Sequence, residues 1–316
     1  MPSGIVPPLG QGTHYGDTSV VTDVTDIIFQ ITPEQTPFFH ICDDKPASVN
    51  APWHQWQRRE LTVAQDNAQY EGFNYTFTSP SRLPTLDGNV LQIFAQDIRI
   101  SNTNQAIGHY GIPNMRADQV QVQLAELKTH IELALLKGTL ATGATGTARR
   151  LNGIIPQCMS SVSMFTNASS NTFSESRFNG MLEQGWTAGA ALRDVFVDGR
   201  MKRMISTFTG SAFRAIAAED QKVVTAIDVI YSDFGPVNIH LGHPSCIPTI
   251  NTGTSLARMV LAVDKTHLAK AWLRPIGVEP AAKIADSTDY MATGELTFEW
   301  GHRLAHFLYW NTSSSI

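Results

Sequence analysis

Between residues 115 and 137 the apolar side chains fall into one helical stripe, and no other stretch constrains the fold as tightly. Val120, Leu124, Leu127, Ile131 and Leu135 succeed one another at steps of three and four, the repeat of a single α-helical face. Gln119, Gln121, Gln123, Lys128, Glu132 and Lys137 lie largely off that stripe. Asn114 is placed to cap the first turn and Gly138 to stand just past the last one. At about 1.5 Å per residue such a helix runs roughly 35 Å, about the diameter of a domain. It is expected to be a structural spine.

The segment before it reads as a long hairpin. In extended backbone, Trp53, Gln55 and Gln57 face one way and His54, Trp56 and Arg58 the other. Tyr70 to Ser79 interleaves aromatics with small polar residues, and Pro80, Pro84, Asp87 and Gly88 are turn chemistry. From Val90 to Ile100 the alternation slips phase: Leu91 and Ile93 share one face, Ile98 and Ile100 the other. That slip predicts a bulge, or a strand passing from one environment into another. Further upstream Val21, Val24, Ile27, Ile28 and Ile31 recur at helical spacing until Thr32-Pro33 ends the run. Thr36-Pro37-Phe38-Phe39 is an apolar anchor in a stretch expected to be non-helical. Residues 1–20 carry Pro2, Pro7, Pro8 and Gly4, Gly10, Gly12, Gly16. They read as an extended arm that buries too little to fold alone and that a neighbouring subunit could order.

After the spine, residues 138–172 read as loop, and Phe178 to Leu192 as one more helix weakened by Gly180, Gly185 and Gly189. Val195-Phe196-Val197-Asp198 opens a β-rich part. Lys222–Tyr231 and Val237–Leu241 flank Ser232-Asp233-Phe234-Gly235-Pro236 as a hairpin, and Glu295–Glu299 with Ala305–Trp310 form a closing strand pair. The class is α+β. No repeat of 20–50 residues is present, which argues against a solenoid.

Chemistry is sparse. A net charge of −5 with pI near 6.0 excludes a globally basic nucleic-acid binder. Cys42, Cys158 and Cys246 are too scattered for a disulfide framework and fit reduced thiols. The chain has no apolar run of membrane length and no secretory signal at Met1, so a soluble protein made in a cytosol is expected. Gly10-Gln11-Gly12-Thr13-His14-Tyr15-Gly16 lacks the spacing and the Lys-Ser/Thr of a phosphate loop. Asp233-Phe234-Gly235 stands without the rest of a kinase signature. His240, His243 and Cys246 are interrupted by Pro244, and His302 and His306 lack a zincin glutamate. No nucleophile elbow occurs, so no catalytic residue, metal or cofactor is expected. The doublets Arg58-Arg59, Arg149-Arg150 and Lys202-Arg203 read as solvated surface, with contacts to carboxylates of another subunit as the alternative. An arm that cannot fold, a projecting hairpin and exposed-looking aromatics are interface anchors in search of a partner.

Several short strings, in one order, carry a resemblance. They are Thr36-Pro37-Phe38, Trp56-Gln57 with Glu71-Gly72 downstream, Gln92-Ile93-Phe94, Ser101-Asn102-Thr103, Glu126-Leu127-Lys128 with Ile131-Glu132, and Ala148-Arg149-Arg150-Leu151-Asn152-Gly153. Over residues 24–155 the chain resembles the major capsid proteins of tailed double-stranded DNA bacteriophages, whose fold is named for bacteriophage Hong Kong ninety-seven.

The resemblance implies an N-terminal arm at 1–48 and an extended loop at 49–100. A peripheral domain would hold the spine helix at 101–143 and return at 286–316, with an axial domain at 144–285. It implies a virion protein, assembled in the bacterial host cytoplasm through pentamers and hexamers into an icosahedral head. Expected partners are further copies of the chain, a portal protein, a decoration or scaffold protein, and packaged double-stranded DNA held only non-specifically, with no membrane. Interfaces of this kind bury more than ~2,000 Å² per pair. Trp53, Trp56, Arg58, Arg59, Phe73 and Tyr75 are the expected contacts between subunits. The alternatives are a non-viral shell of the same fold, or a soluble α+β hydrolase.

Overall fold

The structure, a computed structural model, describes residues 36–45, 49–61, 64–74, 82–109, 111–160, 164–165, 173–208, 229–242, 250–251, 256–283 and 285–311. The arm at 1–35 with its helical stripe, Tyr75 to Pro80, Lys222 to Asp228, His243 and Cys246 lie outside these residues. In chain order the elements are α1 (Pro37–Ile41), β1 (Asp43–Lys45), β2 (Trp53–Arg58), β3 (Thr85–Val90), β4 (Gln92–Ser101), α2 (Asn102–Ala106), α3 (Met115–Lys137), α4 (Ile154–Met159), β5 (Met164–Phe165), α5 (Glu175–Thr187), β6 (Asp194–Val197), α6 (Gly199–Ser206), β7 (Val229–Ser232), β8 (Gly235–Leu241), β9 (Ile250–Asn251), β10 (Leu256–Val263), β11 (Ala269–Pro280), β12 (Ser287–Glu299) and β13 (His306–Asn311).

The spine helix α3 spans the residues its stripe predicts. The Asn114 side chain accepts from the amides of Arg116 (3.1 Å) and Ala117 (3.2 Å), which caps the first turn. Leu127, Ile131 and Leu135 are fully buried. They pack with Phe94, Ala292, Leu296 and Phe298 from a four-stranded sheet ordered β1-β11-β12-β4. Gly138 serves a different purpose from the one expected. Its φ is −50°, not left-handed. A Cβ there would lie 2.5 Å from the Ala134 carbonyl and 2.5 Å from that of Leu151. Gly153 is its counterpart: its N–H donates to the Gly138 carbonyl at 2.7 Å, and its own Cβ would stand 2.7 Å from the Leu136 oxygen. Two glycines thus let the chain cross the helix end backbone to backbone.

The second sheet has seven strands, running β5-β13-β10-β6-β8-β7 with β9 beside β10. β6 and β10 are apolar on both faces, as strands covered on two sides must be. Phe196, Leu261 and Val263 face the core under α3, while Val195, Val197, Val260 and Ala262 face a second core built on α5 and α6 with Phe178, Met181, Met201 and Ile205. The fold is α+β.

Several expectations need correction. Thr36-Pro37-Phe38-Phe39 enters a short helix, because Pro37 at its first position needs no amide partner. The phase slip after Val90, by contrast, is the second of its two expected forms, a passage from one environment into another: β3 pairs β2, Leu91 interrupts, and β4 pairs β12. The stretch 138–172 contains α4, whose first residues Ile154 and Ile155 are buried. The helix expected over 178–192 begins at Glu175 and ends at Thr187. The closing strands are not a pair, since β12 joins β11 and β4 whereas β13 joins β10 and β5. β11 lies with the spine's sheet, and β13 with the larger one.

Candidate assembly interface

The β2–β3 hairpin carries most of the expected contact residues. It is antiparallel, from Trp53 opposite Val90 to Arg58 opposite Thr85. One face is welded to the body. Trp56 is buried, its ring edge-on to Trp300 at 4.8 Å, and its indole N–H donates to the Gly301 carbonyl at 2.8 Å. Asn89, wholly buried, ties three segments together. Its Nδ2 donates to the carbonyls of Asn152 (3.0 Å) and Phe298 (2.8 Å), and its Oδ1 accepts from the Asn152 amide (2.8 Å). Gln92 Oε1 accepts from the Leu151 amide at 3.1 Å, and Arg149 pairs with Glu295 at 2.7 Å. The strings around Gln92 and Leu151 thus meet at the root of the hairpin.

Charges complete the weld. Asp87, opposite Trp56 and buried, meets Arg303 at 2.7 Å and Arg58 at 2.7 Å. Arg58 also reaches Glu60 at 2.6 Å. Glu299 takes Lys45 at 2.7 Å and His54 at 3.1 Å. Burial alone would raise the Glu299 carboxyl, but the hydrogen bonds from His54 and Lys45 outweigh it and hold it below the usual carboxylate range.

The other face and the loop beyond Arg58 are open. Trp53 lies over Gly88, where a Cβ would stand 2.7 Å from the indole nitrogen, and is 39% exposed. Leu61 is 86% exposed, Leu83 78%, Tyr70 72% and Leu86 60%. Phe73 is exposed beside Tyr70, with ring centres 6.5 Å apart. A second apolar patch borders the edge strand β7, where Tyr231, Trp186 and Phe234 are exposed and the last two rings lie 6.1 Å apart.

Of the six expected contacts, the structure places Trp53, Arg59 and Phe73 on the exposed side. It turns Trp56 and Arg58 inward, onto the chain's own core and carboxylates, and Tyr75 lies outside the described residues. Alternation along β2 already separated Trp53 from Trp56; which face is inner is decided by Trp300, far away in sequence. Leu61, Leu83 and Leu86 give no signal in the sequence, because single leucines among polar residues carry no pattern. Other sequence candidates are engaged locally. His240 binds Asp194 at 2.8 Å and stacks on Phe196. His306 is buried against the Trp300 carbonyl. Asp233-Phe234-Gly235 is the β7–β8 turn, where Gly235 has φ +118°. Among the described residues, no three His, Cys, Asp or Glu side chains are gathered to hold a metal.

Residues 9–313 match the family model described as the SU10 major capsid protein. The chain belongs to that family. The SU10-type capsid protein is similar in structure to the capsid of cyanophage P-SCSP1u, with a TM-score of 0.63 at 10% identity over 96% of each chain. It is similar to a chain of Gordonia phage Cozz, with 0.59 at 12% over 97% of this chain and 98% of that one. It is also similar to the capsid of a native GTA particle, with 0.63 at 12% over 95% and 98%. Identities this low speak to the fold. No curated protein matches the sequence. As an SU10-type major capsid protein, the chain is a structural virion component that self-assembles into shells and is not an enzyme. The family match does not favour the hydrolase or the non-viral alternative.

Proposed function

We propose that the chain tiles the icosahedral head of a tailed bacteriophage as hexamers and pentamers, assembled in the host cytoplasm to enclose double-stranded DNA. The loop between β2 and β3 is the hand by which one copy grips the next. The observation that carries this is the contrast across one hairpin. Its root is fixed by Trp56, Asn89 and Asp87, while Leu61, Tyr70, Leu83 and Leu86 stand 60–86% exposed. A rigid root with an apolar tip suits a partner rather than solvent. The patch at Trp186, Tyr231 and Phe234 on the β7 edge supplies a second contact, and a strand edge that no other described strand pairs favours association. In this reading α3 with the four-stranded sheet is the peripheral lobe and the seven-stranded sheet with α5 and α6 the axial lobe. A portal protein at one vertex and a separate scaffold or decoration chain complete the particle. The net charge of −5 leaves packaged DNA held only non-specifically.

Negative-stain imaging of purified protein tests this. Shells tens of nanometres across are expected from the parent chain. A Leu61→Asp/Leu86→Asp variant should run as folded monomer or small oligomer. Parent protein that never exceeds a dimer, or shells unimpaired in the variant, would overturn the assignment.

A further inference from the structure

The lobe built on the larger sheet ends in two exposed surfaces of opposite chemistry. At one, Trp186 of α5 and Phe234 of the β7–β8 turn stand exposed across a cleft of about 230 Å³, which the buried Leu182 and Leu192 help to line. Two exposed carboxylates border it: Glu183, a turn before Trp186 on α5, and Asp233, next to Phe234. Arg193 lines the same cleft, so this end sets two carboxylates against one guanidinium. At the other end β8 finishes at the exposed Leu241, paired with Val197 of the parallel β6. A Cβ on Gly199, the first residue of α6, would lie 3.9 Å from Leu241 Cδ1. From there α6 carries Arg200 and Arg203 exposed at a spacing of three, neighbours on one helix face. The helix holds no acidic residue, and its capping Asp198 is buried against the Met201 amide at 2.7 Å.

We infer that these two ends are the halves of one contact between copies: Leu241 of one subunit enters the Trp186–Phe234 cleft of the next, and Arg200 and Arg203 meet Asp233 and Glu183. The contact rests on the reading of Trp186 and Phe234 as a seam between copies, and it names what lies across that seam. Three observations select a second copy as the occupant. The first is charge. Among the described residues, Glu183, Asp233, Arg200 and Arg203 make no ion pair within the subunit. Two like charges side by side on α6 repel unless an anionic surface faces them.

The second is shape. An aliphatic side chain at the close of a strand suits an apolar notch between two rings, and a rim of charge around an apolar centre is the ordinary build of an interface. The third is position. From Gly235 to Leu241 is six strand steps, about 20 Å. The two ends therefore lie too far apart to meet within one subunit, and they present themselves head to tail. A heterologous contact of that kind closes into a ring when its rotation allows, and the pentamers and hexamers of the proposed head are rings. The charges fix register and turn away wrong approaches, while burial of Leu241, Trp186 and Phe234 holds the seam.

Charge reversal tests the contact. Arg200→Glu/Arg203→Glu and Glu183→Arg/Asp233→Arg should each cut the yield of shells, scored by negative stain, at least about tenfold, since like charges then face each other. The four changes combined should restore the yield, because the pairs re-form with their signs exchanged. All four sites are exposed, so melting temperatures should stay close to the parent's. Reversals that leave shells intact, or losses that the combination does not restore, would assign these surfaces to solvent or to a different chain and overturn the contact. A parent chain that builds no shells overturns the underlying reading, and this contact with it. A second measurement does not depend on the reversals. Particles carrying Asp233→Cys and Arg203→Cys in one chain are treated with a short bis-maleimide, the parent serving as control for its own thiols. Head-to-tail contact links each copy to the next and gives a ladder beyond dimer on a denaturing gel. Dimers alone, or no product beyond that of the single variants, rule it out.

Discussion

Two buried titratable side chains set opposed pH limits on the subunit. Glu132 sits in the core against the Phe38 and Phe39 amides, and burial pushes its carboxyl up to about 7. The folded chain then keeps a proton that the unfolded chain releases near 4.5. That stabilisation is full below about 4.5 and is lost as pH rises through about 7. Chemical denaturation of Glu132→Gln beside the parent should show the variant gaining, relative to the parent, across that window. A difference independent of pH would refute the assignment. His306 works the other way, since burial lowers it from 6.5 to about 4. Neutral histidine is tolerated, and stability is lost as pH falls through that range. His306→Gln, which keeps a donor for the Trp300 carbonyl, should flatten the acid limb of the stability curve. The tryptophans divide just as sharply. Trp56→Ala should cost about 3–5 kcal/mol of monomer stability, as core aromatics do, whereas Trp53→Asp should leave the melting temperature nearly unchanged and impair assembly.

At the scale of elements, the crossing of Gly138 and Gly153 is the least tolerant point. Gly153→Ala puts a methyl 2.7 Å from the Leu136 carbonyl. Relief requires the segment leading to α4 to lift from the helix end, at about 1–3 kcal/mol. Thermal denaturation should register it, and an unchanged midpoint would show that the crossing has slack. This crossing also marks how far the sequence could be read. α3 was legible because a period of 3.6 needs no partner to reveal it, and the β7–β8 turn because Asp-Phe-Gly-Pro is local chemistry. The inner face of the hairpin was not, because Trp300, Gly301 and Arg303 that define it lie some 240 residues away in the chain. The fate of β13 was hidden for the same reason: Phe307 and Tyr309 look alike whether their strand pairs with β12 or with β10. Capsid identity was visible only as a resemblance carried by short strings, and the structure gives two of those strings a shared purpose at Asn89 and Gln92.

For the molecule as a whole, the proposed grip sets exposed leucines and aromatics among exposed charges such as Arg59, Glu60, Asp66 and Glu71, and apolar burial is proposed to carry the larger share of assembly. Shells should persist when salt is raised to about 1 M, where the screening length falls to about 3 Å, and light scattering would follow this directly. Disassembly under those conditions would transfer the weight to Arg59 and its neighbours. The chain also passes between the two sheets more than once. β10 lies in the larger and β11 in the smaller, β12 returns to the smaller, and β13 closes the larger. Neither lobe can be drawn away without unravelling the other, and Phe196 and Leu308 of one sheet lie in the same core as Phe298 of the other. A tile stitched in this way answers load as one stiff plate. Outward pressure from a tightly wound genome would be passed to the seams between copies, where a container can flex and recover, and not to a hinge inside each brick.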